Sequence, residues 1–145
     1  MQKTITILVI DDDVTIRTLL QSTLTNKGFK VISAESGRKG LELAKTQNDI
    51  DIILLDWMMP EMDGIEVLTE LKRNGDTEDI PVIMLTSKEK AGDIELANSK
   101  GVVDYIIKPF KLYEVSEMVQ KHLEKINHSL LSRKSGFFGK IFSKH

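Results

Sequence analysis

Residues that can do chemistry stand at the ends of four apolar segments of this chain. The segments are residues 5–10, 50–55, 80–85 and 105–107, followed respectively by Asp11-Asp12-Asp13, Asp56, Thr86-Ser87 and Lys108-Pro109. Carboxylates a few ångströms apart disfavour each other's ionisation unless a cation or a base compensates. A Mg²⁺ ion, which prefers a few carboxylates and waters, would resolve that conflict. The pattern therefore predicts a magnesium site formed by Asp11, Asp12 and Asp56.

The same set of residues suits an incoming phosphoryl group. A carboxylate would attack phosphorus, the metal and the Lys108 ammonium would neutralise the phosphoryl oxygens, and the Thr86 hydroxyl would bond to one of them. Each residue also has a simpler interpretation: Asp13 fits the N-cap of the next helix, and Thr86-Ser87 could cap a later one. The occurrence of all of them together favours the phosphoryl site.

The elements that must position these side chains alternate between strand-like and helix-like patterns. Strands are predicted at residues 5–10, 29–34, 50–55, 80–85 and 105–107, and helices at about 14–26, 40–46, 64–74 and 90–99 and from about 112 onward. Short connections between them imply βα units, and hence an α/β fold: a doubly wound, five-stranded parallel sheet with five helices, of the flavodoxin-like type. In such sheets ligands gather beyond the carboxyl ends of the strands. The four chemical strand ends should therefore converge on one edge.

Composition restricts the classes of function. The chain has 145 residues, the size of one domain, and it has no cysteine, which excludes disulfides and thiolate chemistry. The first residues lack the apolar core of a secretory signal, and no apolar run approaches a membrane span, so we expect a cytoplasmic protein. The net charge is −2, but residues 131–145 hold four basic residues and no acid. The remaining residues therefore carry 16 basic against 22 acidic groups, a charge of −6, which argues against a nucleic-acid partner.

Four segments of the chain resemble the receiver domain of two-component response regulators, including the chemotaxis receiver, over about residues 3–125. They are residues 7–13 (ILVIDDD), 54–64 (LLDWMMPEMDG), 83–87 (IMLTS) and 104–110 (DYIIKPF). The resemblance implies that Asp56 is the phosphoacceptor and that Asp11, Asp12, Asp56 and the backbone carbonyl of Met58 hold Mg²⁺. It further implies a pairing of Lys108 with the phosphoryl group, a cis peptide at Pro109, and a conformational switch made of Thr86 and Tyr105.

For the whole protein, the resemblance implies a single-domain response regulator with a receiver domain at residues 1–127 and a basic, Phe-rich extension at 128–145. Its phosphodonor would be a sensor histidine kinase or a histidine phosphotransfer protein. It would signal to a downstream protein through the surface formed by the fourth helix, fifth strand and fifth helix. It would not be an enzyme, apart from catalysing its own phosphoryl transfer and dephosphorylation.

Two alternatives differ from this interpretation. The chain could be the receiver part of a longer regulator. The order Asp11-x-Asp13-x-Thr15 also fits the opening of haloacid-dehalogenase-like phosphatases, in which Asp11 would be the nucleophile. Those phosphatases need a further acidic pair after the lysine, however, and no aspartate follows Asp104.

The C-terminal extension carries a cluster of aromatic and aliphatic residues beside its positive charges. As a helix it would place four apolar side chains on one face: Phe137, Phe138, Ile141 and Phe142. Arg133, Lys140 and Lys144 would lie along the edge of that face. Such a face could lie on a membrane surface or enter a groove of a partner protein. Gly136 and Gly139 each weaken a helix by about 1 kcal/mol, so a segment without stable structure is the third alternative.

Overall fold

The computed structural model describes residues 4–88 and 90–125, which form alternating strands and helices. The elements are β1 (Thr6–Ile10), α1 (Val14–Asn26), β2 (Lys30–Ala34), α2 (Gly37–Thr46), β3 (Ile50–Asp56), α3 (Gly64–Arg73), β4 (Val82–Thr86), α4 (Ala91–Ser99) and β5 (Asp104–Ile107). Residues 112–125 are helical and are called α5 here. All strand pairings are parallel, in the order β2-β1-β3-β4-β5. The predicted doubly wound, five-stranded sheet is confirmed.

Some predicted boundaries were wrong by a few residues. Helix α2 begins at Gly37 rather than residue 40, because the Ser36 side chain accepts a hydrogen bond from the Lys39 N–H at 3.1 Å and caps the helix earlier. Strand β2 begins one residue later than predicted. Strand β4 begins at Val82 rather than residue 80, and the preceding Pro81 has no N–H to give to a ladder.

The strand residues alternate between the two faces of the sheet, except at the start of β3, where the register shifts and Ile50 and Ile52 face different clusters. In β1, Ile7 and Val9 face one apolar cluster while Leu8 and Ile10 face the other. Strands β3 and β4 follow the same rule, with Ile52, Leu54, Ile83 and Leu85 on the first face and Ile53, Leu55, Val82 and Met84 on the second. A parallel sheet buried on both faces reads as continuous apolar runs, which is why these segments resemble strands in the sequence.

The helices divide between the same two faces. Buried residues of α1 and α5 belong to the first cluster, and buried residues of α2, α3 and α4 belong to the second. This arrangement leaves the carboxyl ends of the strands uncovered by helices. Asp11, Asp56, Thr86 and Lys108 follow or end four of the five strands, so they all lie along that edge.

The C-terminal extension, with Phe137, Phe138, Ile141 and Phe142, lies outside the described residues, as does the predicted domain boundary at residue 127. In the part of the chain that the structure describes, no helix has the length and apolar character needed to cross a membrane.

Candidate functional site

The three predicted carboxylates come together at the carboxyl edge of the sheet. Asp11, Asp12 and Asp56 each offer an oxygen, and these oxygens all lie within 4.8 Å of one another. Asp11 is fully buried and Asp56 is 3% exposed, whereas Asp12 is exposed. The pocket therefore has two carboxylates in its floor and one at its open side.

The β1–α1 connection fixes Asp11 through hydrogen bonds on every side. The Asp11 N–H donates to the Ala34 carbonyl at 3.1 Å, its carbonyl accepts from Arg17 Nη1 at 2.8 Å, and its Oδ1 accepts from the Asp13 N–H at 2.9 Å. Asp13 caps α1 by accepting from the Thr15 N–H at 2.8 Å, which confirms its simpler interpretation as an N-cap. The run of three aspartates thus contains two ligand candidates and one cap.

The β3–α3 connection folds back tightly against the phosphoacceptor candidate. The Gly64 N–H donates to the Trp57 carbonyl at 2.8 Å. A Cβ atom at Gly64 would lie 2.6 Å from the Asp56 carbonyl oxygen and 2.7 Å from Trp57 Cα, so only glycine fits there. Asp63 and Glu66 complete a capping box at the start of α3. Met58, whose carbonyl is the fourth predicted metal ligand, lies exposed in this connection; its part in metal binding remains a prediction.

Lys108 joins the two buried carboxylates. Its Nζ lies 2.9 Å from Asp11 Oδ2 and 3.3 Å from Asp56 Oδ1. The Lys108 N–H donates to the Thr86 carbonyl at 2.8 Å, which fixes the residue just beyond the end of β5. The peptide bond between Lys108 and Pro109 is cis, as the resemblance implied.

The electrostatics of the pocket reflect burial of like charges. The pKa of Asp56 is raised from 3.8 to about 6: burial is the largest cause and the Asp11 carboxylate adds to it, while Lys108 opposes both. Burial alone would lower the pKa of Lys108, but the bonds and charges of Asp11 and Asp56 outweigh it and raise that pKa. Lys108 is therefore positively charged at neutral pH, and the pocket still holds more negative than positive charge.

The donor set fits a magnesium ion. Three carboxylates and one ammonium leave two uncompensated negative charges when all are ionised, which a divalent cation would neutralise. Mg²⁺ binds through a few carboxylates while keeping several of its waters. The exposed position of Asp12 leaves an open side for those waters, whereas Asp11 and Asp56 would supply the buried ligands.

Thr86 and Tyr105 lie beside each other on neighbouring strands. In the register of β3 and β4, Asp56 pairs with Leu85, so Thr86 is one residue further along the strand next to the phosphoacceptor candidate. Its Oγ1 accepts from the Lys88 N–H at 3.2 Å, and it does not cap α4, whose N-cap is Lys90. The Tyr105 hydroxyl donates to the Lys88 carbonyl. The pKa of Tyr105 is raised to about 12, mainly by burial and also by the Asp93 carboxylate, while a side-chain hydrogen bond with Thr86 opposes the rise.

Comparisons with known proteins decide the family. The family model of the response regulator receiver domain matches residues 7–120. This chain belongs to that family. It is 40% identical over 119 residues to the alkaline phosphatase synthesis transcriptional regulatory protein PhoP of Bacillus subtilis, covering 82% of this chain and 48% of that protein. It is 34% identical over 115 residues to a chemotaxis protein CheY homolog of Campylobacter jejuni, covering 79% and 88% respectively.

A solved structure agrees with this assignment. The chemotaxis response regulator CheY4 of Vibrio cholerae has a TM-score of 0.78 and 26% sequence identity to this receiver domain, over 82% of this chain and 98% of that chain. The chain spans about half the length of transcriptional regulators such as PhoP and most of the length of the CheY homolog. Receiver domains are phosphorylated on aspartate, bind Mg²⁺ at an acidic site, and interact with histidine kinases and downstream effectors. The alternative of a phosphatase using Asp11 is thereby excluded.

Sequence reasoning missed several residues that shape the receiver site. Gly64 was predicted to open the third helix, but its close approach to the backbone of Asp56 and Trp57 was not predicted. Lys88 and Arg17 gave no sequence signal, because their contacts depend on how the loops pack. Trp57 lies in a segment that resembles the receiver family, but its packing against Tyr105, with ring centroids 6.4 Å apart, was not predicted from the sequence.

Proposed function

We propose that this protein is a single-domain response regulator that accepts a phosphoryl group on Asp56 from a sensor histidine kinase or a histidine phosphotransfer protein. The observation that carries the proposal is the bridge that Lys108 makes between the buried carboxylates of Asp56 and Asp11. A buried carboxylate with a cation at 3.3 Å is oriented for attack on phosphorus, and the cation can follow the new phosphoryl oxygens. Asp11, Asp12 and Asp56, with the Met58 carbonyl, would hold Mg²⁺.

Each group of the chain has a distinct part in the transfer. The Asp56 oxygen forms the new bond to phosphorus as the bond from phosphorus to the donor imidazole breaks. Lys108 stays protonated and pairs with the transferred group. Thr86 donates its hydroxyl to a phosphoryl oxygen. Bound Mg²⁺ supplies charge neutralisation for the phosphoryl oxygens.

The signal would leave the site through Thr86 and Tyr105. When the Thr86 hydroxyl moves toward the phosphoryl group, the packing of Tyr105 changes, and with it the surface of α4, β5 and α5 that a downstream protein would contact. A Thr86→Ala variant should still accept the phosphoryl group but transmit poorly. Equal changes of Trp57 fluorescence in both proteins on phosphorylation would contradict this, because Tyr105 packs edge-on against Trp57.

The phosphoacceptor is tested by chemical labelling. A small phosphoramidate donor with Mg²⁺ should add one phosphoryl group, seen in the intact mass and lost in alkali as acyl phosphates are. Asp56→Asn should abolish the addition, whereas Asp76→Asn, which removes an exposed loop carboxylate, should leave it unchanged. Labelling of a serine, or full labelling of the Asn variant, would overturn the assignment.

The alternative of a receiver within a longer regulator keeps the same chemistry. The transcriptional regulators of which this chain spans about half support it, and the CheY homolog of which it spans 88% supports a single domain. The two differ in the downstream partner, not in the site. A cytoplasmic location and the absence of a nucleic-acid partner belong to the single-domain proposal.

For the extension, we propose a contact outside the receiver chemistry. Deleting residues 131–145 should leave the melting temperature and the phosphorylation rate nearly unchanged. If the contact is a membrane, the full chain should bind anionic vesicles in a salt-dependent way, since each basic residue near such a surface contributes about 1 kcal/mol. If it is a protein groove, Phe138→Ala should weaken binding more than neutralising two lysines. A truncated protein that unfolds would show that the extension belongs to the domain.

A further inference from the structure

One loop residue, Lys88, contacts both predicted switch residues through its backbone. Its N–H donates to Thr86 Oγ1 at 3.2 Å, and its carbonyl accepts from the Tyr105 hydroxyl. The backbone of Lys88 is thus hydrogen-bonded to both side chains through which the proposed signal would pass. A displacement of either side chain must move Lys88 or break one of these hydrogen bonds.

The side chain of Lys88 makes a third contact, with the ring of Trp57. Its Nζ lies 4.9 Å from the centroid of the Trp57 ring, within the range of a cation–π interaction. Among residues 4–88 and 90–125, no carboxylate lies within 4.0 Å of this ammonium, so the aromatic ring is its partner. The ring itself is only 5% exposed.

Trp57 in turn is part of the wall that holds the phosphoacceptor. It follows Asp56 directly, its N–H donates to the Leu85 carbonyl at 3.2 Å, and its ring meets Tyr105 edge-on at an interplanar angle of 81°. Lys88, Trp57 and Tyr105 therefore contact one another in a closed set. The Lys88 ammonium lies over the indole ring, the indole ring packs against the phenol ring, and the phenol hydroxyl donates to the Lys88 carbonyl.

We propose that Lys88 is a positioning residue of the phosphoacceptor site, which acts through Trp57 to hold the β4–α4 loop where Thr86 and Tyr105 can respond to a phosphoryl group on Asp56. The inference rests on the proposed function. Without the ammonium, the loop would lose its cation–π contact with Trp57. Part of the binding energy of the phosphoryl group would then be used to order the loop, which lowers the apparent affinity.

The first test compares two variants of Lys88 and one control variant with the natural protein. Lys88→Met keeps the apolar stem and removes the charge, Lys88→Arg retains a cation that stacks well on tryptophan, and Lys45→Met removes an exposed lysine from the far end of α2 as a control. The probe is beryllium fluoride with Mg²⁺, an analogue of the phosphoryl group. We expect Lys88→Met to weaken its apparent affinity about two- to fivefold, with Arg close to the natural protein and Lys45→Met unchanged.

The emission of Trp57, the single tryptophan of the chain, reports the contact without any phosphoryl group. Lys88→Met should change its intensity or emission maximum in the free protein, and Lys88→Arg should largely restore the change. Unchanged emission in Lys88→Met would refute the contact. This measurement does not depend on the affinity for the analogue.

A double-mutant comparison separates action through Trp57 from a direct effect of charge. In a Trp57→Leu background, Lys88→Met should no longer weaken analogue binding, because the ring that the ammonium contacts is gone. If Lys88→Met weakens analogue binding equally in the Trp57→Leu background, the inference is overturned, and the Lys88 charge acts directly on the bound analogue. If Trp57→Leu does not fold, the emission measurement and the Arg variant decide alone.

A natural protein that takes up no phosphoryl group on Asp56 would refute the proposed function, and this inference with it. A protein that is phosphorylated equally with and without the Lys88 ammonium would refute this inference alone.

Discussion

Helices α3 and α4 follow neighbouring strands of the sheet but are anchored to it in different ways. Helix α3 starts with a capping box between Asp63 and Glu66 and buries three apolar side chains completely, those of Val67, Leu68 and Leu71. Helix α4 has no side-chain hydrogen bond at its N-cap, Lys90, and Ala97 is the one buried residue among positions 91–99. Helix α3 is therefore fixed by its N-cap and by its buried side chains, whereas α4 has one buried residue, Ala97, and no N-cap side-chain bond.

The difference fits the parts proposed for the two loops. The β3–α3 loop follows Asp56 directly and, under the proposed function, would have to keep the carboxylates in place whether or not a phosphoryl group is present. The β4–α4 loop contains Lys88 and leads into the surface proposed to carry the signal. Segments with few buried apolar contacts open locally at low free-energy cost, so a modest binding energy can shift α4 without disturbing α3.

The largest expected effect comes from adding one methyl group at the start of α3. Gly64→Ala would place a Cβ atom against two backbone atoms, the Asp56 carbonyl oxygen and Trp57 Cα, neither of which can rotate away. We expect a loss of about 3 kcal/mol in unfolding free energy, measured by urea denaturation, together with slower phosphorylation. A variant of natural stability would show that the β3–α3 loop is as adaptable as the β4–α4 loop, and the contrast between the helices would fail.

A second contrast concerns charge. The pKa of Asp56 is raised by burial, whereas that of Asp104, at the start of β5, is lowered. Burial would raise the Asp104 pKa, but the hydrogen bonds from His122, at 2.7 Å, and from the Tyr105 N–H outweigh it. One aspartate therefore destabilises the metal-free fold at neutral pH, and the other stabilises it.

For Asp56 the sign of the pH dependence follows directly. Its pKa in the folded state, about 6, exceeds its ordinary value of 3.8, so the folded state binds more protons between those values. Stability of the metal-free protein should therefore fall as pH rises through this window. Asp56→Asn should raise the unfolding free energy at pH 7.5 in a chelator by about 1–3 kcal/mol and remove most of this slope.

Mg²⁺ provides the matching control: adding it should raise the unfolding free energy of the natural protein much more than it raises that of the Asp56→Asn variant. A metal-free Asn variant less stable than the natural protein would contradict the repulsion among the carboxylates.

For Asp104 the sign is opposite. A lowered pKa in the folded state means that its stabilisation is present above about pH 3.8 and is lost as pH falls through the folded-state value. Asp104→Asn should cost about 1 kcal/mol at pH 7 and much less at pH 3, measured by thermal unfolding. Asp76→Asn, on an exposed loop, should show no such difference. An equal loss at both pH values would indicate that Asp104 acts through packing instead of charge.

The sequence was sufficient to predict which side chains meet at the strand ends, and the reason is topological. Apolar runs mark the strands of a sheet that is buried on both faces, and parallel strands bring their carboxyl ends to one edge. Asp11, Asp56 and Lys108 therefore converge without any knowledge of side-chain packing. The start of α2 was misplaced because Gly37 and Gly40 break the apolar period; a Cβ at Gly40 would meet Ile10 at 2.4 Å, so packing selects glycine there.

Side-chain contacts between residues far apart in the sequence could not be predicted in this way. The pairing of Asp104 with His122 spans 18 residues, and the contact of Lys88 with Trp57 depends on how the β4–α4 loop folds back over the site. Neither leaves a periodic or compositional mark, since a lysine or a histidine at these positions reads as an ordinary polar residue. These contacts follow only from three-dimensional packing.

The smallest expected effect tests the other side of the comparison. Gly92 lies in the first turn of α4, and a Cβ added there would meet nothing within 4 Å. Gly92→Ala should therefore stabilise the protein by about 0.5–1 kcal/mol, since glycine loses more conformational entropy than alanine on entering a helix. Hydrogen exchange should show where the gain falls: slower exchange in α4, with α3 unchanged. Gly92→Ser, with a poorer helix former, should give a smaller gain. If α3 and α4 exchange equally slowly already in the natural protein, α4 is not the weakly anchored element, and the proposed route of the signal through the β4–α4 loop loses its physical basis.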